Sequence, residues 1–262
     1  MRRNVAAGVL AGCALSAAAC AGSPASPSTS ESPAAEAVPA DLPESTTFTT
    51  IKGLPADLAA SKVPDGTVVS PKSATVIYDA PDGEPRAILP ASQLNSPTWV
   101  PVVETVPGWH RVMLPSRPNR STGWIRTDGI EAARSEYAIR VALKARKLTI
   151  YKSGRARGSW RVAVGAPGTP TPVGRTFLLA SLATGKAQKG SKTTPAGAVL
   201  PVGAHSATLD TFGGGPGTVA FHGWPDAKVF GRAASHGCVR VPPAALKALS
   251  SVPLGSPVLI TA

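Results

Sequence analysis

Short runs of β-branched and aromatic residues, each ended by glycine or proline, constrain the fold of this chain most strongly. The 262 residues include 26 glycines and 27 prolines, and a segment such as Gly165–Gly174 is too rich in both for a helix. The best helix candidate is Pro243–Leu249, where proline suits the first turn. The sequence therefore predicts a mostly β fold with one or two short helices.

The β-type runs fall into two blocks, predicted as domains at residues 62–135 and 136–262. In the first block, short runs at close spacing with turn signals between them predict a small barrel; they are Ala74–Tyr78, Trp99–Val103, Trp109–Leu114 and Gly123–Arg126. The second block opens with two alternating runs that suit a β-hairpin and continues with further strands; they are Ile139–Leu143, Lys147–Tyr151, Ser159–Val164, Arg175–Leu179, Ala198–Val202, Thr218–His222 and Ser256–Ile260.

The amino terminus is typical of an export signal. Residues 1–20 have a short basic start and then an apolar stretch too short to span a bilayer comfortably. Cys20, or alternatively Cys13, resembles the lipidated cysteine of bacterial lipoproteins; cleavage at Cys13 would leave a surplus apolar stretch, so Cys20 is favoured over Cys13 and over plain secretion. Residues 21–61, rich in Ser, Pro and Ala, are predicted to be a disordered tether. We expect a monomer that is lipid-anchored to the outer face of the cell membrane, within the cell wall.

The charge of the chain restricts its partners. The formal net charge is +12, and removal of Arg2 and Arg3 with the signal leaves +10. A basic exported protein suits an anionic cell envelope. Nucleic acid is the alternative partner, but we do not expect it, because the chain carries a predicted export signal and its cations are scattered rather than clustered among aromatic residues.

Cys238 is the only cysteine beyond residue 20, and two histidines precede it closely. A thiol attacks as thiolate, and a nearby imidazole is the usual base. His222 follows an apolar strand, and His236 lies two residues before the thiol. Gly237 permits a sharp bend that could aim the N–H groups of Gly237 and Cys238 at an oxyanion. This pattern predicts a cysteine acyl-transfer enzyme.

Two further features complete the predicted site. The motif contains no acidic residue, so a backbone carbonyl can orient the imidazole instead. Arg240, two residues after the thiol, suits a substrate carboxylate. His205 either lines the cleft or is a structural histidine, and residues 183–195 could form a loop beside the site.

The motif His222-Gly223 followed by Ser235-His236-Gly237-Cys238-Val239-Arg240 resembles the signature of the L,D-transpeptidase (YkuD) family. Three flanking segments match that family as well: Val162–Gly165, Gly168–Gly174 and Val252–Ile260. The resemblance implies a β-sandwich catalytic domain. In the first block, Tyr78–Pro81, Gly108–Val112 and Gly123–Ile125 resemble the bacterial Src-homology-3-like domain, which implies binding to wall peptides, although Trp109 and Trp124 also suit a core.

The family resemblance also implies the chemistry. Cys238 would attack a peptidoglycan stem peptide, release terminal D-alanine as a thioester forms, and pass the acyl group to a second stem as a 3→3 cross-link. His222 would be the base, oriented by the carbonyl of Gly223. Three residues would complete the catalytic and oxyanion site: Ser235, His236 and Gly237. No cofactor and no metal is implied, and acylation by carbapenems is expected. Residues 242–245 depart from the family, whose members often carry Asn and an acidic residue there.

Other functions compete with this interpretation. A zinc site could use His222, His236 and Cys238, with His205, but the spacings common in zinc sites are absent. A papain-like order is excluded because no histidine follows Cys238. A non-enzymatic wall-binding lipoprotein is a third possibility. Within the enzyme class, water as acceptor would give a carboxypeptidase, and a protein lysine would give attachment of protein to the wall.

Overall fold

The computed structural model describes residues 41–59, 61–183, 197–212 and 215–262. The predicted signal with Cys13 and Cys20, the first part of the predicted tether and most of the loop predicted at 183–195 lie outside the described residues. The mostly β fold is confirmed: strands dominate, and Pro243–Leu249, the helix predicted from sequence, is the one α-helix of the described ranges. No helix in those ranges has the length and apolar character that crossing a membrane requires.

The first block is built from nine strands, seven of which form one sheet. In chain order the strands are β1 (Thr67–Pro71), β2 (Thr75–Tyr78), β3 (Pro85–Leu89), β4 (Ser92–Gln93), β5 (Ser96–Pro97), β6 (Val100–Val106), β7 (Trp109–Met113), β8 (Thr122–Arg126) and β9 (Ile130–Arg134). The sheet has the order β3-β2-β8-β7-β6-β1-β9, and β4 and β5 pair separately. Trp109 and Trp124 are buried against Tyr78 and Val76 in a small cluster of their own.

The segment before β1 packs against this sheet instead of remaining a free tether. Ser45 N–H donates to the Ile88 carbonyl (2.7 Å), and Ile51 N–H donates to the Arg117 carbonyl (2.9 Å). The side chains of Ile51 and Asp57 are buried. The prediction that the tether extends to residue 61 is therefore wrong for 41–59. The apolar residues of this stretch, among them Phe48 and Ile51, are scattered among polar ones without a helix or strand period, so their pattern does not reveal which of them is buried.

The described residues of the second block form thirteen strands and the helix. They are β10 (Tyr137–Ala142), β11 (Lys147–Lys152), β12 (Arg155–Arg161), β13 (Val164–Gly165), β14 (Gly174–Phe177), β15 (Leu182–Ala183), β16 (Ala198–His205), β17 (Thr211–Phe212), β18 (Gly215–Pro216), β19 (Thr218–Gly223), β20 (Ala233–Ser235), β21 (Val239–Val241), α1 (Pro243–Leu249) and β22 (Pro257–Thr261), with a 3-10 turn at Ala227–Val229. The main sheets have the orders β12-β11-β10-β22-β14 and β15-β16-β19-β21.

A common apolar core holds these two sheets and the helix together. Alternation along each strand directs every second side chain inward, so Val219 and Phe221 of β19, Val239 and Val241 of β21, and Leu246 of α1 belong to one buried cluster. The helix starts at Pro243, and its N-cap Pro242 offers no side-chain hydrogen bond. Burial of its apolar face, rather than capping, is therefore what stabilises this short helix.

The chain just after β14 connects the two blocks through their cores. Leu178 faces the core of the second block, whereas its neighbours Phe177 and Leu179 are buried in the core of the first block. Nearby, the hydroxyls of Ser135 and Ser256 are hydrogen-bonded at 2.6 Å. The strand alternation at 177–179 thus places one segment in two cores.

Candidate active site

Two neighbouring parallel strands present the residues of the predicted site. In the ladder between β19 and β21, Phe221 lies opposite Val239, and His222 lies opposite Arg240. Because Phe221 and Val239 point into the core, alternation turns His222 and Arg240 to the other face of the sheet. Cys238 immediately precedes β21 on the same face as Arg240.

A cavity of about 170 Å³ lies over this face. Its lining includes Ser235, His236 and Cys238 of the motif, together with His222 and Arg240. The other lining residues are Ser206, Leu209, Phe212, Gly217, Thr218, Val219 and Trp224. A larger cavity of about 540 Å³, lined by parts of 63–66, 134–140 and 151–154, contains none of the predicted site residues. Volume is therefore a poorer guide to the chemistry than the convergence of thiol and imidazole.

The imidazole of His222 is fixed by the backbone. Its Nδ1 lies 2.8 Å from the carbonyl oxygen of Gly223, which requires Nδ1 to carry the proton and leaves Nε2 unprotonated in the neutral ring. Burial lowers the pKa of His222, and the positive charge of Arg240 acts in the same direction, while the bond to Gly223 opposes them. The ring is therefore neutral at pH 7 and able to accept a proton at Nε2.

Cys238 is a protonated thiol in this environment. Burial raises the pKa of Cys238, while a backbone hydrogen bond and the charge of Arg240 act against that rise. Its Sγ lies 3.9 Å from the carbonyl oxygen of Thr218, and it is a free cysteine. A thiolate at this position would therefore have to form by loss of the proton within the cavity, which the imidazole of His222 also lines.

The turn that carries the thiol is closed by Ser235. Its Oγ donates to the carbonyl of Cys238 (2.5 Å) and accepts from the N–H of Gly237 (3.2 Å). Gly237 has φ of +115°, a conformation that only glycine adopts readily. The glycine thus supplies the predicted bend, but its N–H is engaged here, and a role as oxyanion donor requires the bond to Ser235 to be given up.

Two threonines from the Gly/Pro-rich segment support the same turn, and sequence reasoning missed both. Thr171 Oγ1 donates to the carbonyl of Gly237 (2.8 Å), and Thr169 Oγ1 donates to the carbonyl of Ser235 (3.0 Å). The segment stood out in the sequence by its composition. Nothing in that composition, however, indicated which threonines face the turn.

Arg240 is buried beside the thiol and stacks on an aromatic ring. Its guanidinium carbon lies 3.5 Å from the ring centroid of Trp224, a cation–π geometry, and its Nε is buried without a hydrogen-bond partner. Binding of a substrate carboxylate by Arg240 stays a prediction. Trp224 was missed by sequence reasoning, although its position directly after His222-Gly223 was the available signal.

The two remaining histidines occupy different environments. His236 is exposed, lines the cavity, and lies against Phe212 with ring centroids 5.2 Å apart. His205 is buried outside the cavity lining, where its ring contacts Arg117 and the carbonyl of Pro115. It is a structural histidine. Within the described ranges, no three His, Cys, Asp or Glu side chains are grouped so that they could hold a metal ion.

A cysteine and a neutral histidine line one cavity of a β domain. This arrangement is typical of cysteine acyl-transfer proteins, and it makes the protein a candidate for that class. Residues 136–260 match the model of the YkuD family, described as the L,D-transpeptidase catalytic domain. The second block is therefore an L,D-transpeptidase catalytic domain.

The chain is similar to some solved structures at low identity and with low TM-scores. An L,D-transpeptidase from Mycobacterium smegmatis is 17% identical, with a TM-score of 0.41, over 74% of this chain and 97% of that one. An L,D-transpeptidase from Mycobacterium tuberculosis H37Rv is 13% identical, with a TM-score of 0.42, over 83% of this chain and 100% of that one. No curated protein matches the chain. The assignment therefore depends on the family model.

Proposed function

We propose that this protein is a peptidoglycan L,D-transpeptidase that forms 3→3 cross-links through a thioester on Cys238, with release of terminal D-alanine. The observation that supports this proposal best is that His222 and Cys238 line the same cavity from adjacent parallel strands. The Gly223 carbonyl orients the imidazole as a base, which is the arrangement that nucleophilic cysteine chemistry requires.

In the acylation step, Sγ of Cys238 attacks the carbonyl carbon of the third residue of a donor stem while its proton passes to Nε2 of His222. The bond from that carbon to the D-alanine nitrogen then breaks, and the departing amine takes the proton from His222. Because the thiol and the imidazole are both neutral beforehand, the ion pair forms only in the reacting complex. Arg240 stabilises the thiolate and disfavours the imidazolium.

In the second step, the side-chain amine of an acceptor stem attacks the thioester. His222 removes the proton of the attacking nitrogen, the carbon–sulfur bond breaks, and the thiol is restored. The predicted substrate contact of Arg240 would be with a carboxylate of a stem. With water in place of the amine, the same cycle would give a carboxypeptidase, and with a protein lysine it would attach protein to the wall.

The remaining assignments are proposals about location. An export signal with lipidation at Cys20 would hold the enzyme at the outer face of the membrane, within reach of the wall. Binding of the first block to wall peptides would keep the catalytic domain near its substrate polymer. The positive charge of the chain is consistent with an anionic envelope.

Mass spectrometry of the protein mixed with tetrapeptide-stem muropeptides tests the proposal. We expect an acyl adduct on Cys238 with loss of alanine, followed by a 3→3 dimer, and neither product with Cys238→Ala. His222→Gln is expected to slow adduct formation by at least about 100-fold, because removal of a general base has effects of this order. Hydrolysed stems without dimers would favour the carboxypeptidase, and turnover by Cys238→Ala would refute the cysteine mechanism.

A further inference from the structure

One wall of the cavity is a segment with little support of its own. We call the described residues 206–212 and 215–217 the wall segment; Ser206, Leu209, Phe212 and Gly217 all line the cavity. Its strands β17 and β18 are two residues long, and Phe212 is 55% exposed. Isolated hairpins of this size are marginal in water. The position of this wall must therefore be fixed from outside the segment.

The first block provides such a contact at the start of the wall segment. Asn119, between β7 and β8, forms a pair of bonds with the backbone of His205: its Nδ2 donates to the His205 carbonyl (2.8 Å), and its Oδ1 accepts from the His205 N–H (2.8 Å). The His205 ring is held as well, because Arg117 Nε donates to Nδ1 (3.1 Å) and Nε2 donates to the Pro115 carbonyl (3.0 Å).

The same arginine reaches the middle of the wall segment. Arg117 Nη1 contacts the carboxylate of Asp210 (3.0 Å), and Nη2 donates to the Asp210 carbonyl (2.9 Å). That carbonyl also accepts from the Gly217 N–H (3.0 Å), and Ser206 N–H donates to the Gly217 carbonyl (2.6 Å). One guanidinium therefore connects His205 with the point where both arms of the wall segment meet.

The charge pair itself contributes little to this arrangement. The Asp210 side chain is 97% exposed, and exposed ion pairs are weak. Asn119 binds the backbone of His205, directly before the wall segment, and Arg117 binds the Asp210 carbonyl within it. These bonds hold backbone groups, so they fix the geometry of the segment without depending on the exposed charge. These bonds act directly on the cavity, because its lining residues Ser206 and Leu209 lie between His205 and Asp210, the two residues that are held.

We propose that Arg117 and Asn119 are positioning residues that fix the wall segment over Cys238 and thereby control which molecules reach the thiol. This rests on the proposed function only for the identity of the physiological acyl donor. Access itself is a property of the cavity. Loss of the contacts would let the wall segment move outward, so that a bulky reagent enters more easily while a stem peptide is aligned less well with the thiol.

Alkylation of Cys238 in the full chain tests access without assuming any substrate. We compare iodoacetamide with a bulky maleimide on Arg117→Ala, Asn119→Ala, the conservative Arg117→Lys, and the control Arg86→Gln, whose arginine binds Asp79 within the first block. In both alanine variants the maleimide rate is expected to rise about 5-fold or more relative to iodoacetamide, as expected when one or two hydrogen bonds are lost. Arg117→Lys should lie between them and wild type, and the control should not change.

Acylation by the tetrapeptide-stem muropeptide is measured on the same variants. We expect a loss of about 5- to 100-fold, with iodoacetamide rates and melting temperatures close to wild type. Unchanged rate ratios in both alanine variants would overturn the proposal. So would equal increases in the alkylation rates of both reagents together with a lower melting temperature, because these would indicate general destabilisation. If wild type forms no stem adduct, the proposed function fails, whereas the maleimide ratio still decides whether the wall segment is positioned from the first block.

Discussion

Removal of the carboxylate of Asp57 is expected to destabilise the whole fold. Asp57 and Arg175, 118 residues apart, form a bidentate pair: Arg175 Nη2 donates to Oδ1 (2.7 Å), and Nε donates to Oδ2. The side chains are only 3% and 7% exposed. The substitution Asp57→Asn keeps the shape of the side chain but leaves the guanidinium buried without a counter-charge.

The contacts of the pair set the magnitude. Breaking a buried, hydrogen-bonded ion pair from one side costs about 3–5 kcal/mol. Arg175 keeps one other bond, from Nη1 to the Lys62 carbonyl (3.1 Å), which does not neutralise it. We expect Asp57→Asn and Arg175→Met each to lower the free energy of unfolding by about 3–5 kcal/mol. The double variant should lose much less than the sum, because neither charge is then left alone.

Urea unfolding followed by tryptophan fluorescence measures these differences. With m values of about 2–3 kcal/mol per molar urea, the midpoint of each single variant should fall by about 1–2 M. The matched control is Asp82→Asn. The Asp82 side chain is 77% exposed, and its carboxylate lies 3.5 Å from Arg126. This substitution should lower the free energy of unfolding by less than about 1 kcal/mol.

Two results would refute this reasoning. A loss for Asp57→Asn no larger than that of the Asp82→Asn control would mean that the guanidinium is solvated. Additive losses in the double variant would mean that the two side chains act independently, and the segment before β1 would then not be attached through this pair.

Three other outcomes follow from the site and its glycine. Gly237→Ala is expected to cost about 1–3 kcal/mol of backbone strain at φ of +115° and to slow alkylation of the thiol, whereas Gly108→Ala, also at positive φ but far from the cavity, should leave alkylation unchanged. Arg240→Gln should move both limbs of the pH–rate profile of acylation to higher pH, because the cation lowers the pKa of His222 and that of the thiol; an unmoved profile contradicts this. Melting temperature should fall as the pH drops below 6.5, since burial lowers the pKa of His205 and His222 from that value, and the unfolded chain then binds protons first; a flat profile between pH 8 and 5 would count against it.

Strand β19, which carries His222, was predictable from its apolar run, whereas β20 and β21 on either side of the thiol were not predicted. The apolar run 218–221 correctly predicted a strand ending near His222, and the helix at Pro243–Leu249 was predicted to the residue. Both signals are local: a period of two or of 3.6 residues is written in consecutive positions. The bend at Gly237 was likewise visible, since glycine supplies a conformation that other residues avoid.

Contacts between distant parts of the chain could not be predicted in the same way. Arg117 and His205 are 88 residues apart, and no periodicity relates them. Arg240 was predicted only as a ligand of a substrate carboxylate, and it is the fold that brings it against Trp224. Strands β1, β3 and β9 were missed as well, because their apolar content is low or their alternation short, and pairing with neighbours supplies what propensity does not.

Because Phe177 and Leu179 pack in the core of the first block, the two blocks cannot be separated at their sequence boundary without loss of core side chains. A cut between residues 135 and 136 would remove two fully buried side chains from that core, and truncating a single large buried side chain already costs several kcal/mol. The sequence boundary at 135/136 therefore does not separate the two hydrophobic cores. Transfer of the first block to another protein would therefore require that protein to supply large apolar side chains in place of Phe177 and Leu179.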